Sequence, residues 1–359
     1  MPEALPLDAL ARAARVAFGA AARVVAAEPL AGDASSRRYA RLRLAGGAAP
    51  PTAIAMLLGA DRVPLGSDEV GGGALGAELP FLNVGRWLAT HGLPVPAIHA
   101  EAVDADGLLL LEDVGDATLW QTASDAPGDV PALFGAALDL LVALQVAGAR
   151  RPPADCYAFR TRFDGALARW ELAHFVDHGI ETRRGSPLPA AERAAILAAL
   201  DPVAAPFDDG RRVLCHRDFH AWNLHVQDGR LRLLDFQDAL LGPEAYDVAA
   251  LLADRTTSTL VSPGIERALL DRFVAGRAAA GLPVAADFPT AYRLCLLQRA
   301  LKVIGRFWYL ERVKGKPGYL AYLPTVYAVA RRAFAALPAL AGARALVVAH
   351  VPELAPEGA

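Results

Sequence analysis

Along the first third of the chain the apolar residues fall into short, often alternating runs, the period of half-buried strands. Five such runs, 23–28, 37–44, 52–58, 97–103 and 108–111, are separated by turns rich in Gly, Pro and Asp. One helix interrupts them. Pro80 stands where a first helical residue belongs, its missing N–H costing nothing there, and Gly92 ends the run after His91. From about residue 115 the period lengthens to that of a helix. Asp129 and Pro131 open a run in which Leu133, Phe134, Leu138, Leu141 and Leu144 share one face. Further helices are expected over 163–179, 189–200, 246–254, 263–280, 291–313 and 323–337. The pattern predicts an α+β chain of two lobes. Residues 1–113 form a small antiparallel sheet with one helix, and 114–359 a larger, mainly helical lobe.

Composition narrows the function. In 359 residues, 54% are hydrophobic, enough for a large core, and 36 basic residues face 39 acidic ones. A net charge of −3 lacks the basic excess that a nucleic-acid backbone demands. Cys156, Cys215 and Cys295 are isolated and read as buried thiols, not disulfides or a zinc cluster. The Ala-rich stretch 10–27 carries Arg12, Arg15 and Arg23, while Glu3 and Asp8 stand where a signal peptide has its positive flank. It is expected to be an amphipathic surface helix. No uninterrupted run approaches the ~18 apolar residues of a membrane span, so a soluble, cytoplasmic protein is expected. The Gly-rich excursion 59–76 reads as a surface loop.

The chemistry is concentrated in His216-Arg217-Asp218-Phe219-His220-Ala221-Trp222-Asn223 and in Leu233-Leu234-Asp235-Phe236-Gln237-Asp238. Phosphoryl transfer needs a group to orient the attacking hydroxyl and oxygen ligands to hold Mg²⁺ against the phosphates. Asp218 suits the first role, and Asn223 and Asp235 the second. Between them Asp228-Gly229 lies amid alternating apolar residues, a strong signal for a two-residue hairpin. Centring the turn there pairs Val226 with Leu231, Leu224 with Leu233 and His225 with Arg232. Asn223 then falls opposite Leu234, beside Asp235. Strict alternation would put Asn223 and Asp235 on opposite faces, so the backbone must leave strand geometry at that point.

These two blocks resemble the catalytic and metal loops of the protein-kinase-like aminoglycoside phosphotransferase superfamily. Other blocks resemble one branch of it, the bacterial N-acetylmuramate/N-acetylglucosamine anomeric kinases of cell-wall sugar recycling. They are Gly32 to Tyr39, Leu110 to Asp116, Gly242 to Ala249 and Gln298 to Gly305. The resemblance implies a two-lobe, protein-kinase-like fold, ATP and Mg²⁺, and a sugar phosphorylated at C1. It also places the nucleotide phosphates at the turn holding Ser35, Ser36 and Arg38, with Arg38 preferred to Arg37, and the base at the lobe junction, Glu112 and Val114. His216 and Asp247 become braces of the catalytic loop.

One expected part is missing. The third strand of a kinase carries a lysine paired with a glutamate on the next helix. Here Met56 stands at about that place and the helix body lacks an acid, so both partners are absent together. A catalytically silent nucleotide-binding module is the reading this leaves open. The interval 236–246 is too short for an activation segment that lays out a peptide, so the acceptor is a small molecule, with no protein partner evident. Arg299, Lys302 and Arg306 recur on one helix face and suit an anion such as the lactyl carboxylate of muramate. Glu171 and Asp238 are further candidates for sugar hydroxyls, with Trp308, Tyr309, Tyr319 and Tyr322 as stacking surfaces. An aminoglycoside or other small alcohol is the alternative acceptor, although no acidic cluster for a polycation appears in the late helices.

Overall fold

The computed structural model describes residues 4–30, 37–59, 78–150, 155–209 and 211–356. The first lobe contains α1 (Leu7–Phe18), β1 (Arg23–Pro29), β2 (Arg38–Ala45), β3 (Thr52–Leu57), α2 (Pro80–Thr90), β4 (Ile98–Ala102), the single-turn α3 (Val103–Asp106) and β5 (Leu108–Glu112). The strands form one antiparallel sheet in the order β1-β2-β3-β5-β4. Alternation gives it two apolar faces. Leu42, Leu44, Ala53, Ala55, Leu57, Leu108 and Leu110 meet Leu10, Ala13 and Ala14 of α1. Met56, Leu109 and Leu111 face the other way, onto Phe81, Leu82, Val84 and Trp87 of α2. The N-terminal helix is shorter than the stretch 10–27, because Gly19 stops it and the chain turns into β1 at Arg23. Its small buried alanines let it lie close on the sheet.

The second lobe follows with α4 (Leu119–Asp125), α5 (Val130–Ala149), α6 (Gly165–His174), α7 (Ala190–Leu200), the single-turn α8 (Ala205–Asp208), β6 (Val213–Cys215), β7 (Leu224–Gln227), β8 (Arg230–Leu233), β9 (Leu240–Gly242), α9 (Tyr246–Leu252), α10 (Pro263–Ala279), α11 (Phe288–Trp308), α12 (Leu323–Ala335) and α13 (Ala341–Val348). By length and composition the stretch Pro127–Ala149 could cross a membrane, but half of that window is buried inside the fold. Its Gln145 accepts from buried Arg277, which also donates to Glu244 at 2.6 Å. Those polar partners mark α5 as a core helix. The three cysteines are buried and unbonded. Loop 59–76 lies, except for Gly59, outside the described residues.

At the centre, α11 packs against α6, α9 and α12. Two π-helical segments, Phe175–Thr182 after α6 and Tyr309–Val313 after α11, carry these helices past their regular ends. At Gly305, α11 lies directly against the chain that leaves α6. A Cβ there would lie 2.7 Å from Phe175 Cα and 2.9 Å from the His174 carbonyl oxygen, both backbone atoms that cannot step aside. Gly305→Ala should therefore lower stability by about 1–3 kcal/mol. Urea denaturation read by circular dichroism checks it, and an unchanged midpoint would show that the contact yields freely.

Candidate active site

The two-residue turn sets the site. Asp228 (φ 51°) and Gly229 (φ 72°) take the left-handed conformation that a tight hairpin needs. Leu224 pairs with Leu233, His225 with Arg232 and Val226 with Leu231, the register expected from the alternation. The Leu234 N–H donates to the Asn223 carbonyl oxygen at 2.9 Å, extending the ladder by one step. There regularity ends, since Asp235 has φ 61°. That left-handed residue turns its side chain to the side occupied by Asn223, and Asn223 Nδ2 lies 3.4 Å from Asp235 Oδ2. Asn223 Nδ2 also donates to the Asp218 carbonyl oxygen at 3.0 Å, which leaves its Oδ1 for a metal. One carboxylate and one amide oxygen are hard donors, few enough to suit Mg²⁺ held jointly with phosphates. Gln237 Nε2 steadies Asp235 at 2.8 Å and reaches Asp238 at 3.3 Å.

The loop before the hairpin hangs on Asp247. This fully buried carboxylate, at the start of α9, accepts the backbone N–H of His216 at 2.6 Å and of Arg217 at 3.0 Å. Burial pushes its carboxyl up to about 6, against the pull of His216 and those two donors. His216 Nε2 bonds the Leu234 carbonyl oxygen at 2.8 Å, joining catalytic loop to hairpin. Arg217 carries φ 77°, a conformation the surrounding bonds enforce. Both residues thus brace the loop.

Charge around Asp218 is arranged by α11. Arg299 Nη2 lies 3.3 Å from Asp218 Oδ1, while its Nη1 donates to the Arg217 carbonyl oxygen at 3.2 Å and the Tyr246 hydroxyl at 3.3 Å. Burial would raise the Asp218 carboxyl, but Arg299, Lys302, His220 and Arg217 hold it well below the ordinary carboxylate range. Arg299 and Lys302 are therefore no solvated stripe. Arg306, a turn further on, lies over the Tyr309 ring at 5.5 Å and acts on His178. Asp238 sits close enough to Asp218 and Asp235 to feel both. Burial raises its carboxyl, with Arg217 opposing.

Several expected contacts fall elsewhere. Glu171 is 1% exposed and enclosed by Lys302 Nζ at 2.9 Å, Arg217 Nη2 at 3.7 Å and Gln298 Nε2 at 2.5 Å, so it is an internal counter-ion instead of a sugar ligand. The Glu112 side chain is held by Arg232 of β8 and by the Ala97 N–H at 2.9 Å, which leaves only its backbone for a nucleotide base. Val114 is buried beside it. Ser35 and Ser36 lie outside the described residues. Arg38 shares its strand face with Leu42, which packs against α1, whereas Arg37, just before β2, acts on Tyr39 of the opposite face. Tyr39 pairs with Met56 across the ladder and feels both Arg37 and Asp235. Met56 itself is fully buried, so apolar packing fills the place of the absent lysine. Among the aromatics, Tyr322 and Tyr319 pack on Phe307, while Trp308 lies under Arg183 and Arg312.

Sequence reasoning gave no sign of Arg41. From β2 it reaches Asp113 (2.7 Å) and Asp116 (2.7 Å) of the segment joining the lobes. That segment is stitched to the hairpin by Gln227 Nε2 on the Asp113 carbonyl oxygen (3.2 Å) and His225 Nδ1 on that of Gly115 (2.8 Å).

Removing the Asp247 carboxylate strands two buried N–H donors. Asp247→Ala should cost about 2–5 kcal/mol and most of the turnover, with Asp247→Asn, which keeps one acceptor, milder on both counts. Denaturation midpoints and kcat measured together check this, and equal stability of the two variants would contradict it.

Residues 26–288 match the phosphotransferase enzyme family. The N-acetylmuramate/N-acetylglucosamine kinase of Caulobacter vibrioides is 32% identical over 355 residues, covering 90% of this chain and 92% of that protein. Its namesake in Pseudomonas aeruginosa is 34% identical over 265 residues, 73% of this chain and 75% of that protein. Among solved structures, amicoumacin kinase hAmiN superposes with TM-score 0.58 at 14% identity, covering 91% of this chain and 94% of that one. Choline kinase LicA from Streptococcus pneumoniae superposes with TM-score 0.54 at 15% identity, covering 89% and 94%. At such identities the structures establish the fold, a protein-kinase-like arrangement of sheet and helical lobes. The sequence match runs from the first strand through the hairpin that gathers Asp218, Asn223 and Asp235, and the chain belongs to the phosphotransferase enzyme family.

Proposed function

We propose that this protein is an ATP-dependent kinase that phosphorylates the anomeric C1 hydroxyl of N-acetylmuramate and N-acetylglucosamine. The strongest support is the identity of 32% over nearly the full length of a relative bearing that name. In this reading residues 1–113 cover the nucleotide and 114–359 supply the catalytic loop and the sugar pocket. Arg299 and Lys302 beside Asp218 disfavour a polycationic acceptor such as an aminoglycoside.

The acceptor hydroxyl donates its hydrogen bond to Asp218, and Arg299 fixes the carboxylate that receives it. The sugar oxygen is thereby turned toward the terminal phosphorus of ATP. As the new O–P bond forms, the bond to the β–γ bridging oxygen breaks and ADP leaves. With its carboxyl held low, Asp218 works by orientation first and takes the hydroxyl proton only late, as the O–P bond forms in a loose transition state, releasing it to water after the products leave. Asn223 and Asp235 would hold Mg²⁺, which when bound would neutralise charge on the phosphoryl oxygens. Arg37 meets the phosphates from the sheet side, in place of the absent lysine.

ATP consumption tests the substrate against both sugars and kanamycin, with phosphorus NMR to locate the product phosphate. The expected product is a C1 phosphate, and a C6 product or turnover of kanamycin alone would remove the reading. Asp218→Asn keeps the shape without the carboxylate, so kcat should fall by about 10²–10⁴ while the ATP KM stays near wild type. Asp235→Ala should abolish the Mg²⁺-dependence of the rate along with most of the activity, checked by a magnesium titration. Because Glu171 holds the Lys302 ammonium, Lys302→Gln should weaken both sugars alike. A loss confined to N-acetylmuramate would return Lys302 to the lactyl carboxylate.

A further inference from the structure

Beyond α9 the chain makes a tight turn, residues 254–257, that the mechanism above leaves without a task. Asp254 is 6% exposed, yet among the described residues its Oδ2 meets no hydrogen-bond donor. Thr257 is fully buried, and its hydroxyl also has no partner among the described residues. Buried polar atoms in a folded protein are nearly always paired with protein or ordered water. Two such atoms in one short turn call for an explanation.

The turn is built into the catalytic apparatus. Trp222, next to Asn223, donates its indole N–H to Thr256 Oγ1 at 2.9 Å and stacks on Trp120 with ring centroids 4.6 Å apart. Arg255 spans to the late helices, over the Phe307 and Tyr322 rings at 5.9 and 5.1 Å. The Asp254 charge acts on the Arg299 guanidinium, the same group that holds Asp218. In-line transfer puts the acceptor on the far side of Asp218 from the metal ligands, so the residues around Arg299 border the acceptor. Asp254 offers an unused hydrogen-bond acceptor there, sealed from bulk water. That oxygen is closed to solvent in this structure, so a sugar hydroxyl reaches it only as the turn yields on acceptor binding.

We propose that Asp254, assisted by the Thr257 hydroxyl, binds the acceptor sugar directly by accepting a hydrogen bond from one of its ring hydroxyls. The inference rests on the sugar-kinase reading for the identity of the acceptor. A site built to receive a hydroxyl discriminates sharply against the analogue that lacks it, because its own polar group is then left unpaired.

The test is a cycle between protein and substrate, run on the full chain with Mg-ATP. Wild type and Asp254→Asn are each assayed with N-acetylglucosamine and with its 3-deoxy, 4-deoxy and 6-deoxy analogues. Asp254→Asn should raise the acceptor KM on the order of 10–100-fold while the ATP KM moves less than about twofold. One deoxy analogue should be penalised similarly on wild type and no further on the variant. Additive losses for all three analogues would overturn the proposal, leaving Asp254 as a counter-ion of Arg299 or the holder of a fixed water. So would equal rises in both KM values. Wild-type turnover of N-acetylglucosamine is read first, so a failure of the sugar-kinase reading shows before the cycle begins. The same cycle then runs on deoxy analogues of whichever sugar is turned over.

Discussion

The backbone N–H groups of His216 and Arg217 point into the protein, where no water reaches them, and one buried carboxylate satisfies both. Much else depends on that bond pair. It fixes the left-handed backbone at Arg217, which orients the Arg217 carbonyl toward Arg299 and starts the loop on which Asp218 stands. His216, held from the main-chain side, reaches across to Leu234 and sets how far the hairpin stands from the loop. The cost of burying Asp247 is offset by rigidity at the place where reacting atoms must meet within fractions of an ångström.

Around this anchor the charges are arranged in a chain. Asp218 is held by Arg299, and Glu171 gathers Lys302, Arg217 and Gln298 beneath. Arg299, Lys302 and Arg217 thus share Asp218 and Glu171, while Asp238 acts on Arg217 and Asp254 on Arg299. On the other side of the cleft the sheet lobe has lost the usual lysine–glutamate pair. In its described residues the lobe is tied down at the linker instead, by Arg41 on Asp113 and Asp116 and by Arg232 on Glu112. Ion pairs at the hinge do here what a pair within the cleft does in many kinases, which leaves Met56 free to be apolar packing.

How legible all this is from sequence depends on the range of the interaction. The hairpin could be read to the residue, because an Asp-Gly turn and period-two alternation fix a register locally. That the backbone must leave strand geometry at the open end followed from the same count, though not that Asp235 would take the left-handed conformation that does it. Helix ends at 174 and 308 were obscured by π-helical segments, which add a residue per turn without changing the apolar content. The helix at Leu119–Asp125 is announced by a capping box, Thr118 with Gln121, but is too short for periodicity to reveal. Glu171 looked available only because its cationic partners come from the catalytic loop and from α11. Arg41 and Asp254 were invisible for the same reason: their meaning lies in residues far along the chain.

The hairpin has a further consequence for how such a chain can diverge. Its tip is exposed, and there only the two left-handed positions, Asp228 and Gly229, restrict which residues can stand. One residue inserted within either strand, as opposed to the Asp228-Gly229 tip where a longer turn could absorb it, would slip the ladder and turn that strand's side chains to the opposite face. Asn223 and Asp235 would then part company although neither had changed. The count of residues within each strand of the hairpin therefore matters more to where Asn223 and Asp235 meet than the identity of the side chains those strands expose.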